Sequence, residues 1–356
     1  MDARSAAAKA TLSLGRGQGE GAQEVLRFKL LVELGGAQME RDPKKRGALP
    51  RLFSAHFNCQ FRLGLTEFAS SVLSVLNSQF SISSPMPHSI FLTTALDAAR
   101  AAADVIRRYY QRNLEVTIKS DKSPVTQADV ETERVIRDIL SKQFPTHGFY
   151  GEETGQSALD AEYLWLVDPI DGTKAFVREY PMFSTQIALM HRGRLIVGVS
   201  SAPVYGEIAY AQLAHSVSGS GLQPTAYSPM ACLNDKPLRV SDIDAVENCA
   251  ISAGNLKTLA RSSHWSSYGQ LVARASRIRG YGDFLHYHLL AAGKIDVVIE
   301  SDVNILDIAA CAVIVEAAGG KFTDLEGRAL SLETTSVLAT NAKLHDVVRR
   351  EVPYVG

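Results

Sequence analysis

Leu164-Trp165-Leu166-Val167-Asp168-Pro169-Ile170-Asp171-Gly172-Thr173 is the stretch that decides how this chain folds. Four apolar residues read as a buried strand, and two aspartates around a proline follow at once. Pro169 fixes its own φ and excludes helix at Asp168, so the chain must turn, while Gly172 permits an unusual backbone angle or close approach of a ligand. The two carboxylates then converge. In a partly buried turn they repel, and one pKa rises unless a divalent cation neutralises them; oxygen-only ligands suit Mg2+. Thr173 and the local N–H groups suit an anion such as phosphate. For an isolated motif of this kind, the alternative is an Asp-rich turn capped by its own side chains.

The flanking sequence favours the metal. Upstream, Thr126 to Gln143 reads as a helix with Thr126 as N-cap and Asp129 three residues on. Glu152 follows the strand-like Gly148-Phe-Tyr150, placing a carboxylate at a second strand end. Downstream, Asn304-Ile-Leu-Asp307-Ile-Ala-Ala310 opens an apolar helix, Ile308 to Ala318, closed by Gly319-Gly320, with Asp307 at its entrance. Three acidic sites at element ends point to one multi-metal pocket. Ile90 to Asn113 reads as a long Ala-rich amphipathic helix, and Phe183 to His191, Leu195 to Ser200 and Glu207 to Ala211 read as strands. Helices and strands alternate in this way from residue 86 to 356, which predicts a layered α/β architecture.

Composition bounds the rest. Across 356 residues, 37 Lys and Arg balance 38 Asp and Glu, a net charge of −1. No general attraction to a polyanion follows, so neither nucleic acid nor membrane is an expected partner. No apolar run is long enough to span a bilayer, and no basic-then-apolar signal layout opens the chain, so a cytoplasmic protein is expected. Cys59, Cys232, Cys249 and Cys311 are too scattered for a disulfide framework. The first 85 residues stand apart: eleven Lys and Arg against seven Asp and Glu, a Gly-rich run from Gly15 to Gly21, and no long periodicity. They are expected to be a poorly ordered extension, with residues 86–356 as the catalytic domain and Met86 as a candidate start. A transit segment is the alternative, and Glu20, Glu24 and Glu33 count against it.

Trp165-Leu-Val-Asp168-Pro-Ile-Asp171-Gly-Thr173 resembles the first signature of the inositol monophosphatase family of Mg2+-dependent, lithium-sensitive phosphomonoesterases. Leu306-Asp307-Ile-Ala-Ala310 with Glu316-Ala-Ala-Gly-Gly320 is similar to the second, usually W-D-x-A-A followed by E-A-G-G. The likeness runs from Met86 to about Val348. It implies an alternating α-β-α-β-α sandwich, often dimeric, acting on a small phosphate ester with two or three Mg2+ ions. Carried over by residue, Glu152, Asp168 and the Ile170 carbonyl would hold one metal, and Asp168, Asp171 and Asp307 a second. Asp129 would support a third, weaker one and contact Thr173. Glu152 and Thr173 would orient the attacking water, and the Gly172 and Thr173 backbone would hold the phosphate. The resemblance requires no covalent enzyme intermediate.

Leu306 stands where tryptophan is usual, which bears on the substrate and leaves the metal aspartate in place. Glu300 matches the family glutamate that contacts the leaving group, and Asp283, in Arg279-Gly-Tyr-Gly-Asp283-Phe284, adds a second acid where inositol enzymes carry a small stretch. Two carboxylates facing the leaving group favour a cationic alcohol over a neutral polyol. With the G-Y-G-D-F run, this resembles the histidinol-phosphatase branch and implies L-histidinol phosphate, in histidine biosynthesis. Asp283 as a loop acid or helix cap, inositol 1-phosphate or 3′-phosphoadenosine 5′-phosphate as substrate, and a non-catalytic metal-dependent binding protein are the competing readings. His286 and His288, two residues apart on one helix, point to different faces and are not expected to share a metal; packing or surface positions are expected for both.

Overall fold

The computed structural model describes residues 88–112, 116–118, 124–213 and 230–352; the expected extension over residues 1–85, with its junction at Met86, lies outside them. The strand that opens the argument, β5 (Tyr163–Asp171), lies inside a sheet of eight. Its neighbours are β3 (Gly148–Gly151), parallel, and β6 (Ser184–His191), antiparallel. Beyond β3 lies β4 (Gln156–Ser157); beyond β6 come β7 (Arg194–Ala202), β8 (Glu207–Gln212), β9 (Met230–Leu233) and β10 (Lys236–Pro237). A second sheet has five strands in the order β12 (Arg277–Arg279), β11 (Ala250–Ala253), β13 (Val297–Ser301), β15 (Ser336–Thr340) and β14 (Lys321–Thr323). A two-stranded ribbon joins β1 (Val116–Ile118) to β2 (Pro124–Thr126).

Successive strand side chains point to opposite faces, so each sheet must be covered twice. On β5, Trp165 and Val167 meet Leu92, Ala95, Ala99, Ile136 and Leu140, the apolar stripes of α1 (Ile90–Tyr109) and α2 (Gln127–Gln143). Leu164 and Leu166 face the other way, into a core shared with α6 (Asp283–Ala291) and α7 (Ile305–Ala317). That same core takes Val298, Val337 and Ala339 from the second sheet. Val297, Ile299 and Leu338 point outward again, against Leu259, Leu271 and Val348 of α4 (Lys257–Arg261), α5 (Trp265–Arg274) and α8 (His345–Glu351). The predicted α-β-α-β-α sandwich follows from these alternations. Each buried Leu or Val contributes about 1.5–3 kcal/mol at most. Among the described residues, no helix is long and apolar enough to cross a membrane, and Cys232, Cys249 and Cys311 are buried and unpaired.

Four local expectations shift. The strand predicted to stop at Val167 continues through Asp171, because the Asp168–Asp171 motif still pairs with β6 across a change of register. The helix predicted from Ile308 starts at Ile305, since Asn304 caps it. The first helix stops at Tyr109, where Tyr110 turns extended at φ −60° and ψ 134°. Gly282, at φ 70°, occupies the N-cap position of α6, and Asp283 is that helix's first residue, at φ 45°, with no side-chain cap bond formed there.

Candidate active site

Strand register assembles the acids. β5 and β6 remain in step to the pair Asp168–Gln186 and resume at Asp171–Ser184, so the D-P-I-D turn is a bulge anchored at both ends. Within it, the Ile170 N–H donates to Asp168 Oδ1 at 2.9 Å, and Thr185 Oγ1 donates to the Pro169 carbonyl at 2.8 Å. Gly172, at φ 89° and ψ 33°, turns the chain into α3 (Thr173–Val177), a conformation that favours glycine. The Thr173 hydroxyl lies 3.1 Å from the Ile170 carbonyl and 3.2 Å from Asp129 Oδ1. Asp129 is held in turn by its own helix start, its Oδ2 accepting from Thr126 N at 2.8 Å and Thr126 Oγ1 at 2.5 Å. From the central helix layer, Asp307 completes a second capping box, accepting from Asn304 N at 3.0 Å.

Asp168, Asp171 and Asp307 offer carboxylate oxygens that all lie within 4.8 Å of one another. Glu152, exposed just past β3, is near enough for its charge to push the Asp168 carboxyl up. Burial acts first on both Asp168 and Asp171 and holds each well above the usual carboxylate range; Glu152, Asp307 and Asp171 add to it at Asp168, and Asp307, Asp283 and Glu300 add to it at Asp171. Asp307 is pushed up to about 7, by burial first, with its bond from Asn304 opposing and the Glu152 charge adding. Asp129 is also raised, by burial against the bonds from Thr126 and Thr173. Four converging carboxylates with only oxygen donors suit a hard divalent cation, which would relieve this repulsion.

A stability signature follows. Asp307's folded pKa lies above the unfolded value of about 4, so its contribution is present in full below that value and is lost as pH rises through about 7. The metal-free chain is expected to lose melting temperature across that window, and a divalent cation held by the ionised cluster, tested as Mg2+, should restore it. The gap between melting curves with Mg2+ and with chelator should widen from pH 5 to pH 7.5; a constant gap would remove the cluster from the metal's binding site.

On the other side of the cluster, Glu300 comes from β13 of the second sheet. Its Oε1 accepts from Asn255 N at 3.1 Å and its Oε2 from Tyr287 Oη at 2.6 Å. A β-carbon at Gly254 would overlap this carboxylate, so the backbone closes directly over it. His286 Nε2 lies 3.1 Å from Glu300 Oε2, an ion-pair contact off the hydrogen-bond line. Burial pushes Glu300 up, but His286, Tyr287 and the Asn255 N–H outweigh it and hold the carboxyl low. Asp283 has surface open to solvent, yet nearby protein desolvates it and Glu300 repels it, and it is pushed up to about 6 with His286 opposing. Beside the cluster a cavity of about 430 Å³ is lined by Tyr150, Glu152, Gln156, Asn304 and Leu306, the last in the position where tryptophan was expected.

Every described acid singled out from sequence lies at or beside this cluster. Three groups were not singled out. Glu133, buried on α2, accepts from the Glu153 and Thr154 N–H groups at 2.7 and 2.6 Å and from the Thr154 hydroxyl, fixing the turn that carries Glu152. Gln186 and Ser200, on β6 and β7, are polar and fully buried inside segments that the sequence showed only as strands. His286 and His288 do diverge as expected, but both are buried and partnered with acids, so the surface alternative fails for each.

Comparison with known proteins comes to the same place. A sequence profile described as the inositol monophosphatase family matches residues 89–354. The histidinol-phosphatase of Mycobacterium tuberculosis is 36% identical over 258 residues, 72% of this chain and 95% of that enzyme. The inositol-1-monophosphatase of Rhizobium meliloti is 33% identical over 279 residues, 75% of this chain and 99% of that enzyme. Among solved structures, extragenic suppressor protein suhB from Bartonella henselae gives a TM-score of 0.65 at 30% identity, covering 74% of this chain and 98% of the other.

Proposed function

Since this chain belongs to the inositol monophosphatase family, and is a phosphoric monoester hydrolase acting on small phosphate esters, we propose that its substrate is L-histidinol phosphate, hydrolysed in histidine biosynthesis. The proposal places a homodimer of residues 86–356 in the cytoplasm, working with two or three Mg2+ ions. Glu152, Asp168 and the Ile170 carbonyl would hold one ion and Asp168, Asp171 and Asp307 another, with Asp129 supporting a third. Metal bound there would supply charge to cancel that of the phosphate, lower the pKa of water and stabilise the leaving oxygen. Glu152 and Thr173 orient the attacking water, Thr173 through a hydroxyl fixed by Asp129 and Ile170. The Gly172 and Thr173 N–H groups receive the phosphate in the first turn of α3. The leaving alcohol lies toward the second sheet.

One observation carries the substrate assignment: Asp283 and Glu300 stand close enough that the Glu300 charge adds to burial in raising the Asp283 carboxyl, and both charges also reach Asp171. A paired negative wall beside the metal cluster favours a cationic amine. The relative from Mycobacterium tuberculosis, named for this activity, supports the same choice. A second reading, inositol 1-phosphate, is favoured by His286, whose contact with Glu300 offsets part of that charge, and by the relative from Rhizobium meliloti.

Phosphate release with Mg2+ is to be compared for histidinol phosphate, inositol 1-phosphate and 3′-phosphoadenosine 5′-phosphate. Histidinol phosphate is expected to have the highest kcat/KM. Asp283→Asn should lower it about tenfold to a hundredfold, the worth of one charged hydrogen bond, and leave inositol 1-phosphate nearly unchanged. A preference for inositol 1-phosphate, or equal losses on both substrates, would overturn the assignment and keep the metal chemistry.

A further inference from the structure

A continuous line of buried and part-buried hydrogen bonds runs from the partly exposed Glu207 to Asp171. On β6 the side chains of residues 184, 186, 188 and 190 share one face. Ala188 and Met190 pack into the apolar core between the sheets, whereas Ser184 and Gln186, nearer the acidic cluster, are polar and fully buried. Sheet register places Ser184 opposite Asp171, and Gln186 opposite both Asp168 and Ser200. His288, from α6, closes over Ser200 at 2.9 Å and reaches Glu207 Oε2, at the partly exposed start of β8, at 3.0 Å. Gln186 Nε2 lies 3.1 Å from Ser200 Oγ and 2.8 Å from Ser184 Oγ, and Ser184 Oγ lies 3.3 Å from Asp171 Oδ2.

With His288 neutral and both Glu207 and Asp171 ionised, as a cation on Asp171 would require, the bonds run in one direction. An ionised carboxylate only accepts, so the proton of a neutral His288 sits on Nδ1 and points at Glu207. Its Nε2 is then an acceptor, and the Ser200 hydroxyl must donate to it. Ser200's oxygen is left to accept from the Gln186 amide, whose second N–H goes to Ser184. The Ser184 hydroxyl therefore has its own hydrogen to give, and Asp171 takes it. Cys311, one helical turn after Asp307, donates to Gln186 Oε1 at 3.6 Å and sets which way that amide faces.

The geometry points to Ser184, Gln186, Ser200 and His288 as positioning residues for the metal site: they hold the Asp171 carboxylate in one orientation and leave its other oxygen for the cation. This rests on the proposal that Asp171 is a metal ligand. Outer groups that orient ligands in this manner typically change metal affinity by 10–100-fold when removed. All four side chains are buried, so the effect should fall on the metal and leave substrate KM at saturating Mg2+ nearly unchanged.

The test is calorimetric titration of the full-length, metal-free chain with Mn2+, alongside kinetics in saturating Mg2+. Gln186→Leu and His288→Leu should each weaken Mn2+ binding about tenfold, and the double variant no more than the worse single one, because the links act in series. His288→Gln, which keeps a polar group toward Ser200, should restore most of the affinity. Ser184→Ala, the smallest truncation, decides the matter if the Leu variants lose their native melting transition. Unchanged Mn2+ affinity in Ser184→Ala and in every folded Leu variant, or additive losses in the double variant, would overturn the inference. Asp171→Asn separates the two levels: if it binds Mn2+ as tightly as the parent, the metal reading itself fails and takes the inference with it.

Discussion

Asp168→Asn is expected to abolish phosphate release while making the metal-free chain more stable. Asp168 is buried, and burial first, then the charges of Glu152, Asp307 and Asp171, hold its carboxyl well above the ordinary range. Asparagine keeps the Oδ1 acceptor that fixes the Ile170 N–H, so the bulge should survive. It removes the charge that the proposal shares between two ions. Losing several kcal/mol of metal-derived stabilisation amounts to on the order of 10³-fold or more in rate. Without metal, the same change takes one repelling carboxylate out of the interior, so the melting temperature should rise. Phosphate-release assays and melting curves in chelator read the two effects separately. Residual activity above about a hundredth of the parent's, or a lower metal-free melting temperature, would contradict this account.

Thr173→Val is expected to lower kcat about 10²–10⁴-fold, the range for losing an oriented proton-handling group, with KM and metal affinity changing far less. Valine matches threonine in shape, so α3 should form. What disappears is the hydroxyl that lies 3.2 Å from Asp129 Oδ1 and 3.1 Å from the Ile170 carbonyl. That hydroxyl joins the helix start bearing Asp129 to the bulge bearing Asp168 and Asp171. On the proposed mechanism, its remaining lone pair holds the attacking water. Steady-state kinetics at saturating Mg2+ check the split between kcat and KM; a loss confined to KM would move Thr173 from water orientation to phosphate binding.

How much of this was legible from sequence depended on how local the signal is. Thr126 with Asp129, and the run Asp168-Pro-Ile-Asp171-Gly-Thr173, carry their geometry within a few residues, and the structure keeps both. Asp307 was placed at a helix entrance for the right reason, although the Asn304 cap, which has the same box pattern as Thr126, was readable and moved the start to Ile305. The end of β5 was not legible. Its continuation to Asp171 depends on Ser184, thirteen residues later, pairing opposite. Gln186 was hidden for a similar reason: one amide in a strand says nothing until Ser184, two residues before it on β6, and Ser200, fourteen residues later on β7, are seen to meet it. His286 and His288 show the limit of spacing arguments. Two residues apart, they do diverge, but spacing alone could not show that each ends on a buried or half-buried acid.

The site draws on both sheets, and unequally. Asp168 and Asp171 belong to β5 and Glu152 follows β3, all in the eight-stranded sheet, whereas Glu300 lies on β13 of the five-stranded one and Asp283 opens the helix between them. On the proposed assignment, the machinery that breaks the bond and the surface that judges the alcohol are inherited on separate scaffolds. Substitutions at Glu300 or Asp283 can then exchange one alcohol for another without disturbing hydrolysis. Relatives named for two different substrates, at 36% and 33% identity to one chain, are what such a division of labour would leave behind: a lineage conservative in its reaction and free to wander in its diet.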